Sequence, residues 1–165
     1  MKKSLSFLAV LLLATPAAAE PDFIDTFKAW NAFGGKEGTK RLCYVGSLPT
    51  KSEGKYTKRG TTYILVTHRP DDGENGVVSI TAGYRYKAGS EVTVTIGGES
   101  VRLFTNGDHA WASDEATDRK LVTLMKAGRD MVIKGQSQRG TLTTDTYSLE
   151  GFTAAYQAAS KDCGL

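Results

Sequence analysis

Few residues in this chain are of a type that does chemistry. It has two histidines, His68 and His109, and two cysteines, Cys43 and Cys163. Asp108 beside His109 suggests an imidazole base with an orienting carboxylate, the core of a hydrolase. Such a site also needs an activated nucleophile, and no Gly-x-Ser-x-Gly elbow occurs. Ser137 lies in Gly135-Gln136-Ser137-Gln138-Arg139-Gly140, a hairpin loop without the strand-to-helix turn that strains a nucleophilic serine. Serine, histidine and aspartate remote in sequence can still converge. Neither His-x-x-x-His nor Cys-x-x-Cys occurs, so no metal or other cofactor is expected. The acidic residues fall in turns, caps and exposed strand positions, where paired carboxylates for glycoside hydrolysis do not face each other.

Nucleic-acid binding would need basic residues interleaved with aromatic ones along a groove. The segment from Pro49 to Gly60 is the most basic stretch, with Lys51, Lys55, Lys58 and Arg59, but Glu53 interrupts it and it reads as a solvated loop. Tyr84-Arg85-Tyr86-Lys87 interleaves aromatic and basic residues, as single-strand binders do, yet Tyr84 also continues the apolar alternation of a strand and reads as core. Gly34 to Lys40 is glycine-rich without the Gly-x-x-x-x-Gly-Lys-Ser/Thr spacing of a phosphate cradle. Nucleic acid is not expected as a partner.

The elements that would position these residues are mostly strands. Val92, Val94 and Ile96 alternate with Glu91, Thr93 and Thr95, and Gly97-Gly98 can supply a two-residue turn with positive φ. That places Val94 opposite Val101 and Val92 opposite Leu103. Asn106-Gly107, read as another two-residue turn, places Phe104 near His109 and Arg102 across the indole of Trp111, a cation–π contact of about 0.5–1 kcal/mol if exposed. Thr61 to His68 is apolar on both parities, as in a central strand, and Pro70 ends it. A turn over 71–76 leads into a second long strand carrying Val78, Ile80, Ala82 and Tyr84. Phe23 to Asn31 fits helical and strand spacing equally. Arg41 to Ser47 reads as a strand, and Met131 to Gly135 with Thr141 to Tyr147 reads as a hairpin. One helix is predicted from a Ser113 or Asp114 cap to Ala127 with Gly128 as its stop, and another carries Phe152, Ala155, Tyr156 and Ala159 on one face.

At the N-terminus Lys2 and Lys3 precede the apolar run Leu5 to Ala14, and Ala17-Ala18-Ala19 offers a cut before Glu20. Residues 1–19 read as a signal peptide and 20–165 as one mature domain. No later stretch approaches the roughly 20 apolar residues of a spanning helix, so none is expected in the mature chain. Its side chains balance at 19 basic against 18 acidic, which gives no bulk attraction to polyanions. In an oxidising compartment Cys43 and Cys163 are expected to pair. The alternatives are two free thiols or a redox pair, whose Cys-x-x-Cys spacing is absent.

Several runs resemble the invasion-associated locus B family of bacterial exported proteins. They are Thr67-His68-Arg69-Pro70, Gly83-Tyr84 with Gly89-Ser90-Glu91-Val92, and Leu103-Phe104-Thr105-x-Gly107-Asp108-x-Ala110-Trp111. Met125-Lys126-x-Gly128 and the run from Arg139-Gly140-Thr141 through Thr144-Asp145-Thr146-Tyr147-Ser148-Leu149-x-Gly151-Phe152 match too, as does the placing of Cys43 and Cys163. The resemblance implies export to the periplasm or outer envelope and, from the family name, a role in invasion of host red cells by a pathogen. It supplies no catalytic motif to carry over.

The expected fold is mainly β, an antiparallel sandwich or incomplete barrel with two helices packed on it. The expected function is that of a non-enzymatic exported protein, periplasmic, secreted or held at the outer membrane, that binds a protein or cell surface. The solvent face of Arg102, His109 and Trp111 is its candidate interaction surface. The alternatives are a periplasmic small-ligand module and a hydrolase centred on His109 and Asp108.

Overall fold

A computed structural model describes residues 21–165; the expected signal peptide lies outside the described residues. The first strands are β1 (Asp22–Phe27), β2 (Trp30–Gly34), β3 (Lys36–Glu37), β4 (Lys40–Arg41), β5 (Cys43–Ser47) and β6 (Lys51–Gly54). Next come β7 (Tyr63–Arg69), β8 (Glu74–Thr81), β9 (Glu91–Ile96), β10 (Glu99–Asn106) and β11 (His109–Trp111). Helix α1 (Glu115–Ala127) precedes β12 (Asp130–Gln136) and β13 (Leu142–Ser148), and α2 (Phe152–Asp162) follows.

Eleven strands make one antiparallel sheet in the order β1-β2-β5-β7-β8-β11-β10-β9-β12-β13-β6, with β3 and β4 as a separate small hairpin. Edge strands β1 and β6 do not pair, so the sheet curls without closing into a barrel. The curl is fastened from inside. The Trp30 indole donates to the Ser148 carbonyl at 3.0 Å, and the Thr62 and Tyr147 hydroxyls lie 3.5 Å apart. Alternation decides which face turns inward. Ile64 and Val66, Val78 and Ile80, Val92 and Val94, and Leu103 and Ile133 are all buried in one core.

The helices fill one end of the curl. Phe152 of α2 packs edge-on against Trp30 with ring centroids 4.8 Å apart, and Tyr156 packs edge-on against His68 at the same distance. Asp114 caps α1 by accepting from the Thr117 amide, and the buried Asp118 accepts from the Val78 amide at 2.9 Å, tying α1 to β8. Behind α2, Cys43 and Cys163 form the expected disulfide, 120 residues apart in sequence. Entrance to α2 depends on Gly151, whose φ is +91°; a Cβ there would overlap the Phe27 carbonyl oxygen.

The β9–β10 hairpin has the expected register: Val94 faces Val101, Val92 faces Leu103, and Gly97 and Gly98 both have positive φ. The next turn differs. Its two loop residues are Gly107 and Asp108, so Asn106 faces His109 and Phe104 faces Trp111. Arg102 therefore does not lie across Trp111; it faces Thr93 and reaches Glu91 at 3.4 Å. The second long strand stops at Thr81, before Tyr84, because the chain turns at Gly83 with φ +70°. In that turn Tyr86, not Tyr84, becomes the buried tyrosine. The Phe23–Asn31 stretch resolves into the β1–β2 hairpin. Its spacing looked helical because the register shifts between Phe23 and Asp25 and breaks the alternation. The Pro49–Gly60 loop contains the edge strand β6, paired to β13.

Candidate functional site

On the outward face of the sheet, Phe104, Trp111 and His109 form one aromatic cluster. Phe104 and Trp111 face each other across β10 and β11 with centroids 5.8 Å apart, and the His109 ring stacks on Trp111 at 5.2 Å. Phe104 is 48% exposed, an unusual position for a large apolar ring. Arg102 lies two residues along β10 on the same face, beside the cluster but paired to Glu91. Of the three residues predicted as an interaction surface, His109 and Trp111 touch and Arg102 flanks them. Phe104 completes the group; the two-residue register difference hid its part.

His109 is held at both ring nitrogens. Nδ1 lies 2.9 Å from the Thr81 hydroxyl, and Nε2 is 3.4 Å from an Asp108 carboxylate oxygen. Hydroxyl, imidazole and carboxylate in a row are the parts of a nucleophilic triad. Thr81 is only 7% exposed, beneath the imidazole, so an acyl group has no approach to its oxygen. The arrangement fixes a ring orientation and presents no accessible nucleophile. Among the described residues no group of three His, Cys, Asp or Glu is placed to hold a metal ion.

His68 points into the core. Its Nε2 lies 3.2 Å from the Ser160 hydroxyl, while Nδ1 is buried without a partner. Burial, and next the positive charge of Lys126, push its pKa below the ordinary histidine value, so it is a neutral, structural histidine.

A concave site lies at the end of the curl opposite the helices, where β7 and β13 begin and β8, β10 and β12 end. It has a volume of about 830 Å³ between the 55–60 segment, the 83–85 segment and the turn around Gln138 and Arg139. A smaller hollow of about 390 Å³ adjoins it, sharing Arg85 and Gln138. Beneath the larger one, the Arg59 guanidinium donates to both carboxylate oxygens of Asp145 at 2.7 Å and through Nε to the Ala82 carbonyl at 2.7 Å. Its planar group also lies over the rings of Tyr56 and Tyr84, at 5.6 and 5.0 Å. Burial disfavours the Arg59 charge, but the Asp145 hydrogen bonds and charge outweigh it, and its pKa lies above the ordinary value. The Tyr84 hydroxyl meets that of Thr143 at 2.6 Å.

The loops at 70–76 and 106–108 do not meet to form a site. The 70–76 turn is at the helix end of the sheet, and Asn106 and Gly107 line the smaller hollow at the other end. Sequence reasoning noticed the basic loop and Tyr84-Arg85-Tyr86-Lys87 separately; the strand order brings them to one rim.

A family model described as invasion associated locus B (IalB) protein matches residues 30–160. The chain belongs to this family. No curated protein matches the chain, and no solved structure does. In this IalB-family chain the most specific run, Thr144 to Phe152, has structural work visible at four positions. Asp145 holds Arg59, Tyr147 is fully buried, Gly151 admits α2, and Phe152 packs on Trp30. The disulfide fits the export that marks this family. Among the described residues no helix is long and apolar enough to cross a membrane.

Proposed function

We propose that this IalB-family protein is a non-enzymatic exported protein that works by contact with a protein or cell surface, periplasmic or beyond the outer membrane. In a pathogen that contact serves invasion of host cells. The observation that supports this reading is the exposed aromatic cluster of Phe104 and Trp111, steadied by His109 and flanked by Arg102. Aromatic and arginine side chains carry most of the energy in protein interfaces, and an exposed group of them on a rigid sheet loses little entropy on binding. The His109 constellation supports binding rather than turnover, since its hydroxyl is covered.

The test uses purified mature protein and intact cells, both host red cells and the source bacterium. Wild-type protein is expected to bind one of them, and Trp111→Ala and Phe104→Ala are expected to lose at least tenfold in affinity while keeping the thermal midpoint within a few degrees. Equal binding by the wild type and both variants would remove the cluster from the function. A second reading, a periplasmic ligand-binding module, is favoured by the cavity of about 830 Å³ at the mouth of the curl. Its cationic rim suits a charged ligand better than an apolar one.

A further inference from the structure

We propose that the mouth of the curled sheet binds an acidic polysaccharide, a chain bearing sulfate, phosphate or carboxylate groups. The site is distinct from the aromatic cluster on the sheet face and does not depend on it. Five cations border the two adjoining hollows: Lys55, Lys58, Arg85, Lys87 and Arg139. All five are exposed, and none takes part in an ion pair among the described residues, whereas eight other basic residues and His109 do. No acidic side chain lines either hollow. Asp145, beneath them, is consumed by Arg59. The mature chain is nearly neutral, so this concentration of one sign is local, and unpaired like charges crowded at one rim are a standing electrostatic cost that an anionic ligand relieves.

The rim is built to hold its shape. The Gly60 amide donates to the Gly83 carbonyl at 2.9 Å, and only glycine at 83 allows these backbones to approach, since a Cβ there would overlap the Gly60 oxygen. On the other wall Gln138 N–H donates to the Arg85 carbonyl at 2.7 Å and Lys87 N–H to the Gln136 carbonyl at 3.0 Å. Arg59, locked by Asp145, braces the floor. The backbone carrying the cations is therefore ordered before a ligand arrives, and binding loses less freedom to loop ordering.

Two features favour a polysaccharide over a nucleic acid. Single-strand binders offer free ring faces on which bases stack. Here Tyr56 and Tyr84 have the Arg59 guanidinium over them, and Tyr84 is met edge-on by Tyr86 at 5.3 Å. Apart from the exposed part of Tyr56, what remains free is cationic and hydrogen-bonding: the five basic heads, Gln138, and the Thr57 and Thr141 hydroxyls, which suit charged groups and sugar hydroxyls on one chain.

The experiment is calorimetric titration of the mature protein with a size-defined heparin octasaccharide as probe, beside a neutral dextran oligomer and a single-stranded DNA of equal charge. The heparin probe is expected to bind at least tenfold more tightly than the DNA, with no heat from dextran, and to weaken by about tenfold or more between 50 and 500 mM salt. Lys58→Gln, Arg85→Gln and Arg139→Gln are each expected to weaken it by about tenfold. Arg119→Gln, on helix α1 at the far end, is expected to leave it unchanged. Binding indifferent to the three rim variants, or no tighter than dextran, overturns the proposal. DNA binding as tight as heparin overturns the assignment to polysaccharide. Because the probe is a purified glycan, failure here leaves the cell-surface reading of the aromatic cluster standing, and failure of that reading leaves this one.

Discussion

Arg59 and Asp145, 86 residues apart in sequence, meet in a two-armed ion pair of 2.7 Å contacts, with side chains only 5% and 6% exposed. The pair joins the end of the basic loop to β13, near the edge of the sheet, and sets the floor of the mouth. A buried pair of this kind is weak evidence of stability but strong evidence of mutual dependence.

Asp145→Leu is expected to destabilise the protein by about 3–5 kcal/mol, because it leaves the Arg59 charge buried and unpaired. The double change Arg59→Met with Asp145→Leu is expected to recover much of that loss. Urea unfolding of the four members of the cycle checks it; additive losses would show the pair to be uncoupled.

Reducing the Cys43–Cys163 bridge releases a loop spanning 120 residues in sequence. Chain-entropy reasoning sets the loss at about 4–5 kcal/mol as an upper figure. The urea midpoint is expected to fall by several tenths of a molar or more in reductant, and Cys43→Ala with Cys163→Ala is expected to match the reduced protein.

His68 gives stability a pH dependence. Its folded pKa lies below the ordinary value of 6.5, so between the two the unfolded chain binds more protons than the folded one. The stability it contributes is whole above about pH 6.5 and is lost as pH falls from there toward the folded pKa. Comparing urea unfolding of the wild type and His68→Gln from pH 7.5 to 5 is expected to show a steeper acid loss in the wild type. Parallel curves would count against it.

Gly151→Ala is expected to cost about 3 kcal/mol, since it adds a positive-φ penalty to a steric overlap with the Phe27 carbonyl. Gly107→Ala, with positive φ but open space around it, is expected to cost about 1 kcal/mol. Thermal unfolding of the two variants distinguishes strain alone from strain with collision.

The hairpins were legible because their signals are local: glycine pairs that accept positive φ, and strict alternation beside them. The error at Asn106-Gly107 has a definite cause. A slip of two residues keeps every side chain on its own face, so alternation cannot tell whether Gly107 closes or opens the loop. The structure settles it by placing Phe104, not Arg102, against Trp111. Strand β6 escaped notice because Lys51 to Gly54 is wholly exposed and joins the sheet through its backbone. The mouth was invisible for a different reason. Lys58, Arg85 and Arg139 lie on separate segments, and only the pairing of β12 with β13, together with the bridge from Tyr86 to Ser137, brings them to one rim.

The position of the disulfide also decides how the molecule carries load. A pull applied at the two ends of the described chain passes directly from Cys43 to Cys163 through a covalent bond, bypassing the strands and helices between them. Only the β1–β2 and β3–β4 hairpins can be drawn out, and about 400 Å of contour length stays locked inside the ring. Both the aromatic cluster and the cationic mouth lie within that ring, so tension on the ends does not pull directly on the backbone that carries them.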